Sequence, residues 1–62
     1  MPELIEELAK IIWSLRLIDI AKLARRYGFT KNEIVYLAWD ALPESIQDHI
    51  RGVARAGSKS RH

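Results

Sequence analysis

The side chains that could carry catalytic chemistry are few in this 62-residue chain and are not placed to work together. His49 directly follows Asp48, and adjacent residues of a helix do not face each other, so the two do not form an acid–base couple. The second histidine, His62, has no ligand-like neighbours, and the chain has no cysteine. No glycine-rich phosphate loop is present. We therefore expect no enzyme activity, no cofactor and no metal site.

Basic side chains, by contrast, are concentrated in two blocks that contain no acid. The first block, residues 22–31, holds Lys22, Arg25, Arg26 and Lys31. The second block, residues 51–62, holds Arg51, Arg55, Lys59 and Arg61. All eight acidic residues lie elsewhere, although the net charge is only +2. Separated basic blocks predict contact with a polyanion such as nucleic acid. The alternative is that both blocks are ordinary solvated helix faces.

The elements that must position these residues are four helices, predicted over residues 2–16, 18–27, 31–42 and 44–56. Gly28 stands where a helix ends in a left-handed residue. Thr30 and Glu33 have the spacing of a capping box that starts the next helix. No strand-like alternation is visible. The sequence therefore predicts an all-α fold, a small bundle of four helices over residues 1–56, followed by a disordered basic tail at residues 57–62.

Several large apolar side chains fall outside the predicted core. In the first helix we expect one face to line the core, formed by Leu4, Ile5, Leu8, Ile11, Ile12 and Leu15. Trp13 projects roughly opposite that face, and Val35, Tyr36 and Trp39 lie outside the core face of the third helix. Such residues often mark interfaces. We expect these four to contact a second subunit in a homodimer, which would remedy the small core. Packing against the fourth helix is the alternative.

Residues 20–39 have the pattern of two short helices joined at a glycine. Leu23 and Ala24 fall in the first helix, Gly28 at the turn, and Ile34 and Leu37 in the second helix. In this arrangement the segment, about a third of the chain, resembles the helix-turn-helix superfamily of DNA-binding proteins. The resemblance implies a helix-turn-helix-like corner and DNA binding of the kind used in transcription regulation.

The resemblance also implies roles for individual residues. The base-reading positions would be Thr30, Lys31, Asn32, Val35, Tyr36 and Trp39. Of these, Lys31 and Asn32 have side chains that suit base edges. Phosphate contacts would fall to Lys22, Arg25 and Arg26, because the first helix of the motif crosses the nucleic-acid backbone. Lys59 and Arg61 in the tail would add charge along the nucleic acid.

We therefore expect a small, dimeric nucleic-acid-binding protein that acts largely through phosphate contacts, with DNA favoured over RNA. The alternative is a protein-interaction module or a small helical subunit of a larger complex, such as a ribosome- or polymerase-associated assembly. The acidic N-terminal stretch and the lack of a long apolar run indicate a cytoplasmic protein without membrane contact. Few labile and many charged residues indicate a thermophilic source.

Overall fold

The chain folds as a small bundle of four α-helices in the computed structural model, which describes residues 2–59 and, for side chains, residues 3–57. The helices are α1 (Pro2–Ser14), α2 (Ile20–Arg26), α3 (Lys31–Ile34) and α4 (Glu44–Lys59), and a single 3-10 turn, Trp39–Ala41, precedes α4. The longest helices, α1 and α4, pack against each other, while α2 and α3 form a corner of their own. The all-α fold predicted from the sequence is therefore confirmed.

The last helix extends beyond its predicted end. It runs to Lys59 instead of residue 56, so it takes in the first half of the segment predicted as a tail. Residues 60–62 lie outside the described residues. Among the helices between residues 2 and 59, none combines the length and the apolar character needed to cross a bilayer.

Both tryptophans belong to the core. Trp13 is 1% exposed and Trp39 is 9% exposed, and they pack in one cluster with buried residues of every helix. The prediction that their indole rings project from the core toward another subunit is therefore wrong. For Trp13, the reason is the orientation of α1. Ala9 and Trp13 lie one helical turn apart on the side of α1 that faces the core, and the small Ala9 side chain leaves room for the large Trp13 ring.

The face of α1 that was predicted to line the core is only partly inside. Ile5, Leu8 and Ile12 are half-buried against the core cluster. Leu4, Ile11 and Leu15 are 62%, 50% and 63% exposed, respectively, so the prediction fails for these three. The apolar side chains of α1 cover a face of the helix that is wider than its contact with the core. The structure uses one edge of it for the core and leaves the other edge in solvent.

The third helix is much shorter than predicted, since it ends at Ile34 instead of residue 42. Two side chains, one from α1 and one from the turn that follows it, take the backbone carbonyls that a longer α3 would use. The indole nitrogen of Trp13 donates to the Leu37 carbonyl at 2.8 Å, and the Arg16 guanidinium donates to the Val35 carbonyl at 2.8 and 3.1 Å. The chain then extends through Ala38 and carries the Trp39 ring into the core.

Arg16 holds this junction from an unusual backbone conformation. Its φ of 52° lies in the left-handed region, where a residue with a Cβ is strained. The amides of Arg16 and Leu17 bond to the carbonyls of Trp13 and Ile12, at 3.0 Å each, which is the hydrogen-bond pattern of a Schellman motif. The guanidinium also donates to the Trp13 carbonyl and lies 4.2 Å from the centre of the Trp13 ring. Arg16 therefore caps the C-terminal end of α1 and also contributes to the early end of α3.

Two substitutions of Arg16 distinguish the contribution of its side-chain hydrogen bonds from the cost of its left-handed backbone. We expect Arg16→Ala to lower the free energy of unfolding by about 1.5–3 kcal/mol, because charged hydrogen bonds to partly buried carbonyls are lost. Arg16→Gly loses the same bonds but relieves the strain, so it should be more stable than Arg16→Ala by about 1 kcal/mol. Urea unfolding followed by circular dichroism measures both. Equal stability of the two variants would argue against a left-handed residue 16.

An ion-pair network joins α1 to α4 on another side of the molecule. Arg51 contacts Glu6 at 2.7 Å, Asp48 at 2.7 Å and Glu44 at 3.4 Å, and its guanidinium lies 5.5 Å from the centre of the Trp39 ring. The hydrogen bond from Arg51 holds the pKa of the Glu6 carboxyl below its ordinary value. The same acids, Glu6 foremost, raise the pKa of Arg51. Three carboxylates therefore gather around one cation.

Candidate nucleic-acid interface

The corner between α2 and α3 begins at Gly28. The amide of Phe29 donates to the Ala24 carbonyl at 2.9 Å and the amide of Gly28 donates to the Arg25 carbonyl at 3.3 Å, which is a Schellman motif with Gly28 at its left-handed position. The φ of Gly28 is 84°, which confirms the positive value that the sequence predicts. The turn therefore depends on a residue that tolerates this region.

The next helix starts with the predicted capping box. The Glu33 carboxylate accepts a hydrogen bond from the Thr30 amide at 2.7 Å, and Thr30 is the extended residue that precedes α3. At the start of α2, Asp19 accepts from the amide of Lys22 at 3.1 Å in the same way. Both helices of the corner thus have side-chain caps, which supply partners for amides that short helices leave unbonded.

Substitutions at Gly28 test the backbone requirement of the turn. Apart from the adjoining residues, no heavy atom lies within 4 Å of the position that a Cβ at Gly28 would occupy, so the cost of a side chain there is conformational and not steric. We expect Gly28→Val to lower the free energy of unfolding by more than about 1 kcal/mol, and Gly28→Asn to lower it less, because asparagine tolerates the left-handed region. Thermal unfolding ranks the variants.

A matched control comes from Gly52 in α4, which also has open space where a Cβ would stand but an ordinary helical backbone. Gly52→Ala should raise stability by about 0.5–1 kcal/mol. A Gly28→Val variant as stable as the wild type would contradict a left-handed turn at this position.

Four cations lie on this corner, and we call them the basic corner: Lys22, Arg25, Arg26 and Lys31. All four are exposed. Within the part of the chain whose side chains are described, none of them forms an ion pair with an acid, since the ion pairs there belong to Lys10 and Arg51. Their charges are therefore uncompensated at short range.

The arrangement of the acids explains why the corner stays positive. Glu6, Glu44 and Asp48 are gathered around Arg51, and Glu7 lies 3.8 Å from Lys10. Two acids, Asp19 and Glu33, do lie at the corner, where they cap the starts of α2 and α3. Among the described side chains, neither forms an ion pair with the cations of the basic corner. Four cations against two acids leave the corner with a net positive charge, which attracts a polyanion.

Two members of the basic corner border a shallow cleft of about 280 Å³ between α2 and α4. The cleft is lined by Ile18, Asp19, Lys22, Leu23, Arg26 and His49. Lys22 and Arg26 are one helical turn apart, so they share this face of α2. The Tyr27 hydroxyl lies 3.0 Å from Nδ1 of His49, which ties the end of α2 to α4 beside the cleft.

Of the remaining residues that the resemblance implies, some are exposed in the structure and others are buried. Thr30 and Asn32 are exposed beside Lys31, and Tyr36 is 86% exposed, so these stand where a large ligand can reach them. Val35 is half-buried and packs on the core, and the buried Trp39 is not available to read bases. The base-reading position that the resemblance implies for Trp39 is therefore not available in this fold.

The second basic block is not a single surface. Arg51 is engaged by three acids, whereas Arg55 is exposed on α4. The predicted contacts of Lys59 and Arg61 lie outside the side chains that the structure describes. The first block is therefore the one whose geometry supports an interface.

Sequence reasoning missed two residues that shape this region. Arg16 carries no sequence signal beyond its charge, because a non-glycine residue at a left-handed position has no reliable pattern. The sequence pairs His49 only with its neighbour Asp48, whereas its partner in the fold is Tyr27, 22 residues away. In the part of the chain between residues 3 and 57, no group of three or more His, Cys, Asp or Glu side chains is placed to hold a metal ion.

Comparison with known proteins adds no assignment, since no family model, no curated protein and no solved structure matches the chain significantly.

Proposed function

We propose that this protein binds nucleic acid, with DNA favoured over RNA, through phosphate contacts made by the basic corner. The observation that supports the proposal most strongly is the exposure of Lys22, Arg25, Arg26 and Lys31 on one corner, without an ion-pair partner among the described side chains. Cations that are already neutralised have little to gain from a phosphate, whereas uncompensated ones release condensed counterions from the nucleic acid when they bind.

The short α3 determines the kind of contact. Four residues of α-helix extend only about 6 Å, so α3 is too short to lie along a major groove as a recognition helix does. Lys31 and Asn32 at its start are the exposed side chains with donors suited to base edges. We therefore expect binding that depends weakly on sequence, with most of the affinity supplied by phosphates.

Fluorescence anisotropy with two labelled DNA duplexes of unrelated sequence tests the proposal. Three or four phosphates neutralised per subunit predict that log affinity falls linearly with log salt, with a slope of about −3 per subunit and of about −5 to −7 for a dimer. An RNA duplex of the same length tests the preference for DNA. Absence of binding to any of these duplexes at about 50 mM salt would contradict the proposal.

The alternative of a protein-interaction module has lost part of its support, because Trp13 and Trp39 fill the core. Tyr36 remains as an exposed aromatic residue, at 86% exposure, and Trp and Tyr are the residues that binding hot spots favour. If the duplexes do not bind, a partner protein that covers Tyr36 becomes the better explanation. Pull-down with Tyr36→Ala as the matched negative variant then tests it.

A further inference from the structure

The outer edge of α1 carries an apolar stripe that is mostly exposed, and only one of its members, Leu8, also packs against the core. We call it the α1 stripe: Leu4, Leu8, Ile11 and Leu15. Leu8 is half-buried, and the other three are between 50% and 63% exposed. The amide of Leu15 bonds to the Ile11 carbonyl at 3.0 Å, so the helical path continues through the last member of the stripe. Contiguous exposed apolar surface of this kind marks an interaction site.

The spacing of the α1 stripe indicates what covers it. The intervals between its members are four, three and four residues, which is the heptad spacing of a coiled-coil seam. The series reads the same from either end. A second copy of α1 in antiparallel orientation therefore places Leu4 opposite the partner's Leu15, and Leu8 opposite the partner's Ile11. A surface that complements itself in this way is what a twofold-symmetric dimer requires.

The charges beside the stripe favour the antiparallel orientation. Glu3 and Glu7 are exposed near the N-terminal end of α1, and Ser14 stands at the other end on the same side. In an antiparallel pair the same flanks of the two copies meet, so Glu7 lies opposite the partner's Ser14 and away from the partner's Glu7. In a parallel pair the flank of Glu7 would instead face the partner's flank that carries Ile5 and Ile12, which offers the carboxylate no polar partner.

We infer that α1 forms the interface of a homodimer, in which the α1 stripes of two copies pair antiparallel. This dimer differs from the one expected from Trp13, Val35, Tyr36 and Trp39, because the interface lies on α1 alone. It does not depend on nucleic-acid binding, since the basic corner belongs to α2 and α3. The stripe is about 17 Å long, shorter than an interface of about 800 Å² per partner needs, so we expect a dissociation constant of about 1–100 μM.

Sedimentation equilibrium of the full chain tests the dimer. We expect the wild type to shift from monomer to dimer across the micromolar range, and Ile11→Lys to remain monomeric, because Ile11 lies near the twofold axis and the substitution would bury two like charges. Leu17→Lys is the matched control, since Leu17 is 65% exposed but lies outside the stripe, and it should dimerise like the wild type. Circular dichroism verifies that both variants are folded.

A wild type that stays monomeric up to about 500 μM overturns the inference, as does equal dimerisation by Ile11→Lys and the wild type. Cross-linking tests the orientation, because the chain has no cysteine of its own. When the Leu4→Cys and Leu15→Cys variants are mixed and oxidised, we expect a disulfide between the two variants in excess of random pairing, since residues 4 and 15 face each other. Preferential pairing of Leu4→Cys with itself would overturn the antiparallel dimer.

Discussion

Trp13→Ala is expected to lower the free energy of unfolding by about 3–5 kcal/mol, which is the range measured for removing a large aromatic side chain from a core. The Trp13 ring is 1% exposed and its indole nitrogen donates to the Leu37 carbonyl at 2.8 Å. Small domains of this size rarely have more than about 3–5 kcal/mol to lose. The variant should therefore be largely unfolded at room temperature, as measured by circular dichroism and by urea unfolding.

Two companion variants give this prediction its control. Trp13→Phe keeps most of the ring but removes the indole donor, so the Leu37 carbonyl retains only the Arg16 guanidinium at 3.5 Å. We expect an intermediate loss that includes about 0.5–1.5 kcal/mol for the lost hydrogen bond. Tyr36→Ala removes an aromatic ring that is 86% exposed and should change stability by less than about 0.5 kcal/mol. A folded Trp13→Ala variant that differs from the wild type only in oligomeric state would show that the ring serves an interface instead of the core.

Replacing Arg25 and Arg26 with alanine together is expected to weaken DNA binding on the order of 10²-fold at about 50 mM salt. Each phosphate contact contributes about 0.9 to the slope of log affinity against log salt, and purely ionic contacts fade near 1 M salt. Two lost contacts therefore remove about 1.8 from the slope. The loss should be the same on every duplex sequence, because phosphate contacts do not distinguish bases.

Lys10→Glu is the matched control for that double substitution. It changes the net charge of the chain by the same two units, but Lys10 lies on α1 and is paired with Glu7 at 3.8 Å. We expect its affinity to change far less than that of the Arg25 and Arg26 variant. If both variants weaken binding equally, then overall charge attracts the nucleic acid and the basic corner has no special part in it.

The parts of the fold that could be predicted from the sequence are those encoded by local signals. Gly28 and the Thr30–Glu33 capping box act over a few residues, so the end of α2 and the start of α3 were predicted within one residue. The end of α3 could not be predicted, because it depends on hydrogen bonds from Trp13 and Arg16, about twenty residues away. Tertiary contacts here override the helix propensity of residues 35–42.

The wide apolar face of α1 is a second feature that the sequence does not fully predict. Spacing places Leu4, Ile5, Leu8, Ile11, Ile12 and Leu15 on one side, but it does not say which edge faces α4. The buried Ala9 and Trp13 mark the edge of α1 that faces the core, but neither falls among the large apolar residues at helical spacing. Counting large apolar residues alone therefore assigned Trp13 to the surface and Ile11 to the interior.

The sequence identifies the residues of the candidate site, but it does not predict which of their charges are neutralised. The acid-free block at residues 22–31 is visible in the sequence. The gathering of Glu6, Glu44 and Asp48 around Arg51 is not, because Glu6 and Arg51 are 45 residues apart. That arrangement distinguishes an uncompensated corner at α2 and α3 from a block at residues 51–62 whose first member is already neutralised.

The most direct test of the central claim is an NMR titration of the isotope-labelled protein with a short DNA duplex, in which the amide signals report the contacted surface. We predict that the largest shifts fall on residues 22–32, that they reverse when salt is added, and that they are lost in the Arg25 and Arg26 variant. Unchanged spectra, or shifts confined to the α1 stripe with residues 22–32 unaffected, would contradict nucleic-acid binding by the basic corner.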